Sequence, residues 1–132
     1  MIRKAEAQDA AAVTALLAPP AGAPADPEVL RAVFFDHLSY DDVRVLVAQE
    51  RDELVGTVTV WFRPRLGWPT PVAWLTDLVA SPGEASSAVA RALFQAGVVE
   101  ARRRGCHELL LHSADDHDGL EDAGRLHRLP LG

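Results

Sequence analysis

Residues 71–93 read Pro71-Val72-Ala73-Trp74-Leu75-Thr76-Asp77-Leu78-Val79-Ala80, then Ser81-Pro82-Gly83-Glu84, then Ala85-Ser86-Ser87-Ala88-Val89-Ala90-Arg91-Ala92-Leu93. Val72 to Ala80 is a largely apolar run of strand length, entered through a proline. Pro82 and Gly83 break it. Beyond the break Val89, Leu93, Ala96 and Val99 recur at helical spacing. Arg102 to Arg104 favour the negative end of that helix, Glu100 is spaced to pair with Arg104, and Gly105 is a natural stop. A strand turning through a short loop into a long amphipathic helix is therefore the centre of the fold.

Upstream, Leu54 to Phe62 alternates, with Val58, Val60 and Phe62 on one face and Thr57, Thr59 and Trp61 on the other. Val43 to Gln49 is rich in β-branched residues, and Arg51-Asp52 is a tight turn. Arg63 to Pro71, with its prolines and Gly67, is a hairpin loop. The three strands read as an antiparallel meander. Before them, Asp26 and Pro27 start a helix over 27–39 with Leu30, Val33, Phe34 and Leu38 on one stripe. Pro19, Pro20, Gly22 and Pro24 mark a loop. Asp9 caps an earlier helix carrying Val13, Leu16 and Leu17, and Ile2 to Ala5 is a short strand. Downstream, His107 to His112 is a strand around Leu109, Leu110 and Leu111. Asp115, Asp116 and Asp118 predict a loop and then a last helix through about Leu129.

The 132 residues predict one domain, residues 1–132. An apolar share of 48% and a charged share of 24% exclude general disorder. Thirteen cationic against nineteen acidic residues give a net charge of −6, which attracts neither nucleic acid nor an anionic membrane. A lone Cys106 builds no internal disulfide and fits a reducing cytoplasm. No apolar stretch approaches the ~18 residues of a membrane span, and Arg3 and Lys4 precede no signal-peptide core. The class is an α/β or α+β protein of the cytoplasm.

The order strand, helix, helix, three-strand meander, long helix, strand, helix resembles the GNAT N-acetyltransferase superfamily over nearly the whole chain. The residues that carry it are Pro71 to Leu93, the upstream Glu53-Leu54-Val55-Gly56-Thr57 and the downstream Glu100-Ala101-Arg102-Arg103-Arg104-Gly105-Cys106. The resemblance implies an α/β fold with a mixed, mainly antiparallel, splayed sheet flanked by helices. It implies transfer of an acetyl group from acetyl-CoA to a small-molecule or peptide amine. The pantetheine would then bond to the backbone of the strand before the long helix, at Leu78 and Val79. The pyrophosphate would lie on Ala85, Ser86, Ser87, Ala88, Val89, Ala90 and Arg91, where amides at a helix N-terminus form an anion site. The family's usual Arg/Gln-x-x-Gly-x-Gly/Ala is here Ala85-Ser86-Ser87-Ala88-Val89-Ala90, and only Ala90 keeps the pattern.

Two local readings of that loop stand open. Ser81-Pro82-Gly83-Glu84 has capping-box spacing, which would start the helix a turn early and lay Glu84 over its amides. Alternatively the helix starts near Ser86, with the Ser86 and Ser87 hydroxyls and the Arg91 charge available to phosphate.

Acyl transfer to an amine needs a base for the ammonium and an acid for the thiolate. Asp77 is the candidate base, because a carboxylate among apolar neighbours is a stronger proton acceptor than one in water; the alternative is a structural acid bonded to nearby backbone. Many members carry an acid at the position of Thr76. The family's thiolate acid, a tyrosine on the last helix, falls by alignment on Leu126, and His127 beside it is the candidate proton donor. The only tyrosine, Tyr40, lies far upstream. The family's last two strands have no counterpart before Gly132, so the fold is expected to lack them. The His107–His112 edge would then need a homodimer mate or partner protein. His107, His112, Asp115, Asp116, His117 and Asp118 match no closed zinc spacing, and no metal is expected. Arg63, Arg65, Trp61 and Trp68 line either an acceptor pocket or a loop and partner surface. Cys106 points into the core. The functional classes are an acyl-CoA-dependent N-acyltransferase and, as the alternative, a binding or regulatory module that keeps the fold without the coenzyme.

Overall fold

The structure, a computed structural model, describes residues 1–17, 26–112, 121–123 and 126–131. The elements are β1 (Ile2–Lys4), α1 (Ala10–Leu16), α2 (Pro27–Ser39), β2 (Val43–Glu50), β3 (Glu53–Arg63), β4 (Val72–Ala80), α3 (Ser86–Arg103), β5 (Glu108–His112), β6 (Glu121–Ala123) and β7 (Leu126–Pro130). Among the described residues the strands form one sheet in the order β1-β2-β3-β4-β5-β7-β6. Every pairing is antiparallel except β4 with β5. No described helix is long and apolar enough to cross a membrane.

The alternation along β3 divides the core. Val58, Val60 and Phe62 face α3, where they meet Leu75, Leu93, Phe94, Val98, Leu109 and Leu111. The opposite face carries Val43, Val45 and Val47 against Val13 of α1 and Phe34 of α2, with Trp61 at the margin. The expected meander is present, and α2 begins where its cap predicts, with the Asp26 carboxylate accepting from the Glu28 amide at 3.0 Å. Cys106 is buried under α3, and burial pushes its thiol up, so it stays protonated and is no nucleophile. Glu100 pairs with Arg103 at 3.5 Å rather than with Arg104. Arg104 instead lies over the Phe62 ring at 4.4 Å and donates to the Asp41 carbonyl.

The end of the chain corrects the sequence reading. Residues 121–123 and 126–130 are strands, not a helix running to Leu129, and the last strands are present. β7 pairs with β5 along its whole length, from Glu108 opposite Pro130 to His112 opposite Leu126. Leu126 and Leu129 are three apart, which suits one face of a helix and puts them on opposite faces of a strand, and the open edge of β5 overrides that local signal. The edge thought to need a second chain is thus covered by the same chain, and the homodimer or partner argued from it loses its basis. Residues 113–120, with Asp115, Asp116, His117 and Asp118, lie outside the described residues.

Asp9 does not cap α1 with its side chain. Only 6% exposed, it accepts from Arg3 Nη1 at 2.8 Å, Arg3 Nη2 at 3.0 Å and the Glu6 amide at 2.7 Å, closing a capping box around the short 3-10 turn that precedes α1. The Arg3 guanidinium holds the Asp9 carboxyl below the usual carboxylate range; burial opposes this, and the Glu6 amide adds to the lowering. A lowered folded value means the pair's stabilisation is complete above the unfolded value of about 3.9 and is lost as pH falls through the folded one. Asp9→Asn is expected to cost about 1–2 kcal/mol at neutral pH, since Arg3 stays partly in solvent. Urea unfolding from pH 6 downward should show the wild-type advantage shrinking in acid. A gap that stays constant would refute the assignment.

Candidate functional site

β4 loses one of its two partners halfway along. Its parallel register with β5 runs from Val72 opposite Glu108 to Leu75 opposite Leu111 and stops there. On its other side Thr76 sits opposite Thr59 and Val79 opposite Thr57, so Asp77 and Leu78 together face Val58. This is a bulge, and Asp77 takes the left-handed conformation with φ of 56°. Aspartate is among the few side chains that tolerate it. A bulge bends its strand and sharpens the twist, which fits β4 parting from β5 just here. Among the described residues no strand covers the β5-facing edge of Thr76–Ala80.

The capping box at Ser81 does not form. The Ser81 amide donates to the Val55 carbonyl at 2.8 Å, so Ser81 continues the sheet ladder instead of starting a helix. Gly83 then turns the chain with φ of 148°. α3 begins at Ser86 with Ala85 at the cap position and no side-chain cap bond. Its first helical bond runs from the Val89 amide to the Ala85 carbonyl at 3.0 Å. The amides of Ser87 and Ala88 lie in the first turn, where a helix has no internal acceptor to give them. Glu84, Ser87, Ala88 and Arg91 are exposed, and Glu84 does not lie across the helix start as a cap.

On the opposite face a cavity of about 140 Å³ opens between α1, α2 and the sheet. Val13, Leu17, Leu30, Val33 and Phe34 give it apolar walls, and Thr14, His37, Thr59 and Asp77 supply its polar groups. Trp61 Nε1 donates to Thr76 Oγ1 at 3.1 Å, and the Thr76 hydroxyl donates to Asp77 Oδ2 at 3.3 Å. Asp77 is exposed rather than enclosed by Leu75 and Val79, and its partner is a hydroxyl rather than backbone. The bulge is the reason, since it turns residue 77 out of the strand's alternation. His37 packs edge-on to Trp61 with centroids 4.9 Å apart, and its Nδ1 lies 2.8 Å from the Val33 carbonyl. A carbonyl can only accept, so Nδ1 carries the proton and Nε2 keeps a lone pair in the neutral ring.

Sequence reasoning missed His37. The signal was its place in the stripe of Leu30, Val33, Phe34 and Leu38, one polar group on an apolar helix face. Of the expected residues, the structure gathers Asp77, Leu78, Val79 and the 85–91 segment around the end of β4. Leu126 and His127 lie on β7, with His127 opposite Leu111 on one side and Asp122 on the other. The helix meant to carry them is a strand, so the alignment of Leu126 with the family's tyrosine does not hold. His107 is engaged elsewhere, its ring stacked on Trp68 at 4.2 Å and its Nδ1 3.0 Å from Thr70 Oγ1. Among the described residues no three His, Cys, Asp or Glu side chains are placed to hold a metal ion.

The model of the acetyltransferase (GNAT) family matches residues 10–127. A GNAT family acetyltransferase from Brucella melitensis, solved in complex with acetyl-CoA, is 20% identical with a TM-score of 0.74, over 100% of this chain and 88% of that one. Ribosomal-protein-alanine N-acetyltransferase from the same organism is 28% identical with a TM-score of 0.65, over 84% and 72% of the two chains. Glucosamine-6-phosphate N-acetyltransferase from Arabidopsis thaliana is 17% identical with a TM-score of 0.73, over 86% and 82%. No curated protein matches the sequence.

Proposed function

The chain belongs to the acetyltransferase (GNAT) family, and from that premise we propose how its own residues transfer an acetyl group from acetyl-CoA to an amine. The observation that carries the reading is the separation of β4 from β5 after Leu75, directly before a helix start with no side-chain cap. The open edge at Leu78 and Val79 is free to bond the pantetheine amides. The Ser87 and Ala88 amides, with the α3 dipole behind them, face the pyrophosphate. The Ser86 and Ser87 hydroxyls and Arg91 lie on the same first turns. Acetyl-CoA supplies an activated thioester, and the protein supplies position and a proton acceptor.

The amine enters through the cavity of His37 and Asp77. Its ammonium proton passes to the Asp77 carboxylate, held by the Thr76 hydroxyl, or to His37 Nε2. The free amine attacks the thioester carbonyl, the C–N bond forms, the C–S bond breaks, and the second proton, which the nitrogen sheds as it becomes an amide, passes through water to the departing thiolate. His127 has no part in this scheme, because β5 lies between its strand and β4. The lone buried Cys106 supports a cytoplasmic setting.

Ala85 and Ala88, where the family usually has Arg/Gln and Gly, favour the second reading of a module that no longer binds coenzyme. Calorimetric melting separates the two. Acetyl-CoA at a hundred times its Kd stabilises by about 2.7 kcal/mol, a rise of about 8 °C for a chain of this size. An unchanged melting temperature at millimolar acetyl-CoA would leave the fold without the activity.

A further inference from the structure

A second cleft, of about 490 Å³, lies on the same sheet face as Asp77, between the 63–71 loop and the strands β4, β5 and β7. In the β3–β4 register Thr59 faces Thr76, Trp61 faces Trp74 and Arg63 faces Val72, so this cleft continues the face that carries the His37–Asp77 cavity. Its charged lining is Arg63, Arg65, Arg128 and Glu108, a cationic excess on a chain of net charge −6. Glu108 is paired with Arg65. Among the described residues no carboxylate pairs with Arg63, whose guanidinium lies 4.8 Å from the centre of the Trp61 ring.

The loop that follows Arg63 and bears Arg65 is built into the fold. Arg65 pairs with Glu108 and lies over Trp68, Trp68 stacks on His107 within 5° of parallel, and Thr70 Oγ1 meets His107 Nδ1. A turn bond from the Trp68 amide to the Arg65 carbonyl, 3.0 Å, closes it. Arg63 is thus presented from a fixed strand end against an aromatic plane, which lowers the ordering entropy of binding. A guanidinium so held matches the two oxygens of a carboxylate.

We infer that Arg63 binds a carboxylate on the acceptor, so that the acceptor class is an extended amino-carboxylate. The inference rests on the acetyl-transfer reading for the amine end. Four residue steps along the strand take Val72 to Thr76, about 13 Å. Arginine reach shortens this, which sets amine and carboxylate about 10 Å apart.

The test is a titration with 8-aminooctanoate, octylamine and octanoate at constant ionic strength, followed by the nitrogen-15 side-chain resonances of arginine. The expected result is a shift of the Arg63 Nε signal with 8-aminooctanoate, binding about tenfold tighter than octylamine, and loss of that preference in Arg63→Gln. Equal affinity for the two amines, an unaltered preference in Arg63→Gln, or no binding at tens of millimolar each overturns the inference. Acetyl-CoA melting shifts on the same samples keep the two claims apart. A retained shift with no carboxylate preference removes the anion site alone, and a missing shift removes acetyl transfer.

Discussion

Ala88→Glu is expected to abolish the acetyl-CoA-induced rise in melting temperature while leaving the unliganded protein as stable as the wild type or slightly more so. Ala88 is exposed and is the third helical residue of α3, counted from Ala85 at the cap position. A carboxylate in a helix's first turn interacts favourably with the dipole, worth about 0.3–1 kcal/mol, and α3 has no side-chain cap for it to displace. Against a diphosphate the same carboxylate acts oppositely. It competes for the Ser87 and Ala88 amides, and at about 4 Å two like charges near a protein surface repel by up to about 4 kcal/mol. The expected loss in affinity is about a hundredfold. Ala88→Gln, of equal size and no charge, should lose far less. A wild-type shift in Ala88→Glu would mean that the pyrophosphate does not rest on the start of α3.

The parts of this molecule legible in the sequence are those where local and global preferences agree. Asp26-Pro27 announces α2 because cap and ring act within one turn, and the Pro82-Gly83 break separates β4 from α3 whatever surrounds it. The Ser81-to-Glu84 capping box was an equally good local signal and failed, because Val55, far away in sequence, takes the Ser81 amide into the sheet. The C-terminal strands failed to show for a related reason. The spacing of Leu126 and Leu129 points to a helix, and the otherwise unpaired edge of β5 makes strand the better state.

The site was legible in outline and not in detail. Residues 85–91 were named from the resemblance and Asp77 as an acid among apolar neighbours, but the bulge that exposes Asp77 is a backbone event, and its only trace is that aspartate tolerates positive φ. His37 was hidden by its own helix, where a histidine in an apolar stripe reads as core until Asp77 is seen on the same cavity. Arg63 and Arg65 read either as part of an acceptor pocket or as a loop and partner surface, and the contacts with Glu108, His107 and Thr70 that hold the loop in place are long-range ones that the local sequence does not announce.

Gly56→Val is expected to destabilise the fold by about 4 kcal/mol, enough to unfold a marginal domain, and Gly56→Ala by about 2 kcal/mol. The cause is space, since φ at Gly56 is not positive. A Cβ there would lie 2.8 Å from Leu93 Cδ1, 2.8 Å from Val89 Cγ1 and 3.0 Å from the Val79 carbonyl. Leu93 is fully buried, Val89 is stiff at χ1, and the Val79 oxygen belongs to the β3–β4 ladder. The strain is relieved only by lifting α3 from the sheet, and that moves the Ser87 and Ala88 amides away from the end of β4. Coenzyme affinity should therefore fall together with stability. Gly97→Ala is the control: the nearest atoms to its Cβ would be those of the Leu75 side chain, at 3.1 Å and beyond, and the helix propensity gained, about 1 kcal/mol, offsets the crowding. Urea unfolding should rank the variants Gly56→Val, Gly56→Ala, Gly97→Ala from most to least destabilised. Leu93→Ala should recover part of the Gly56→Ala cost as a favourable coupling in a double-mutant cycle. Additive losses at 56 and 93 would show that α3 is not seated by that contact, and the glycine of Glu53-Leu54-Val55-Gly56 would need another explanation.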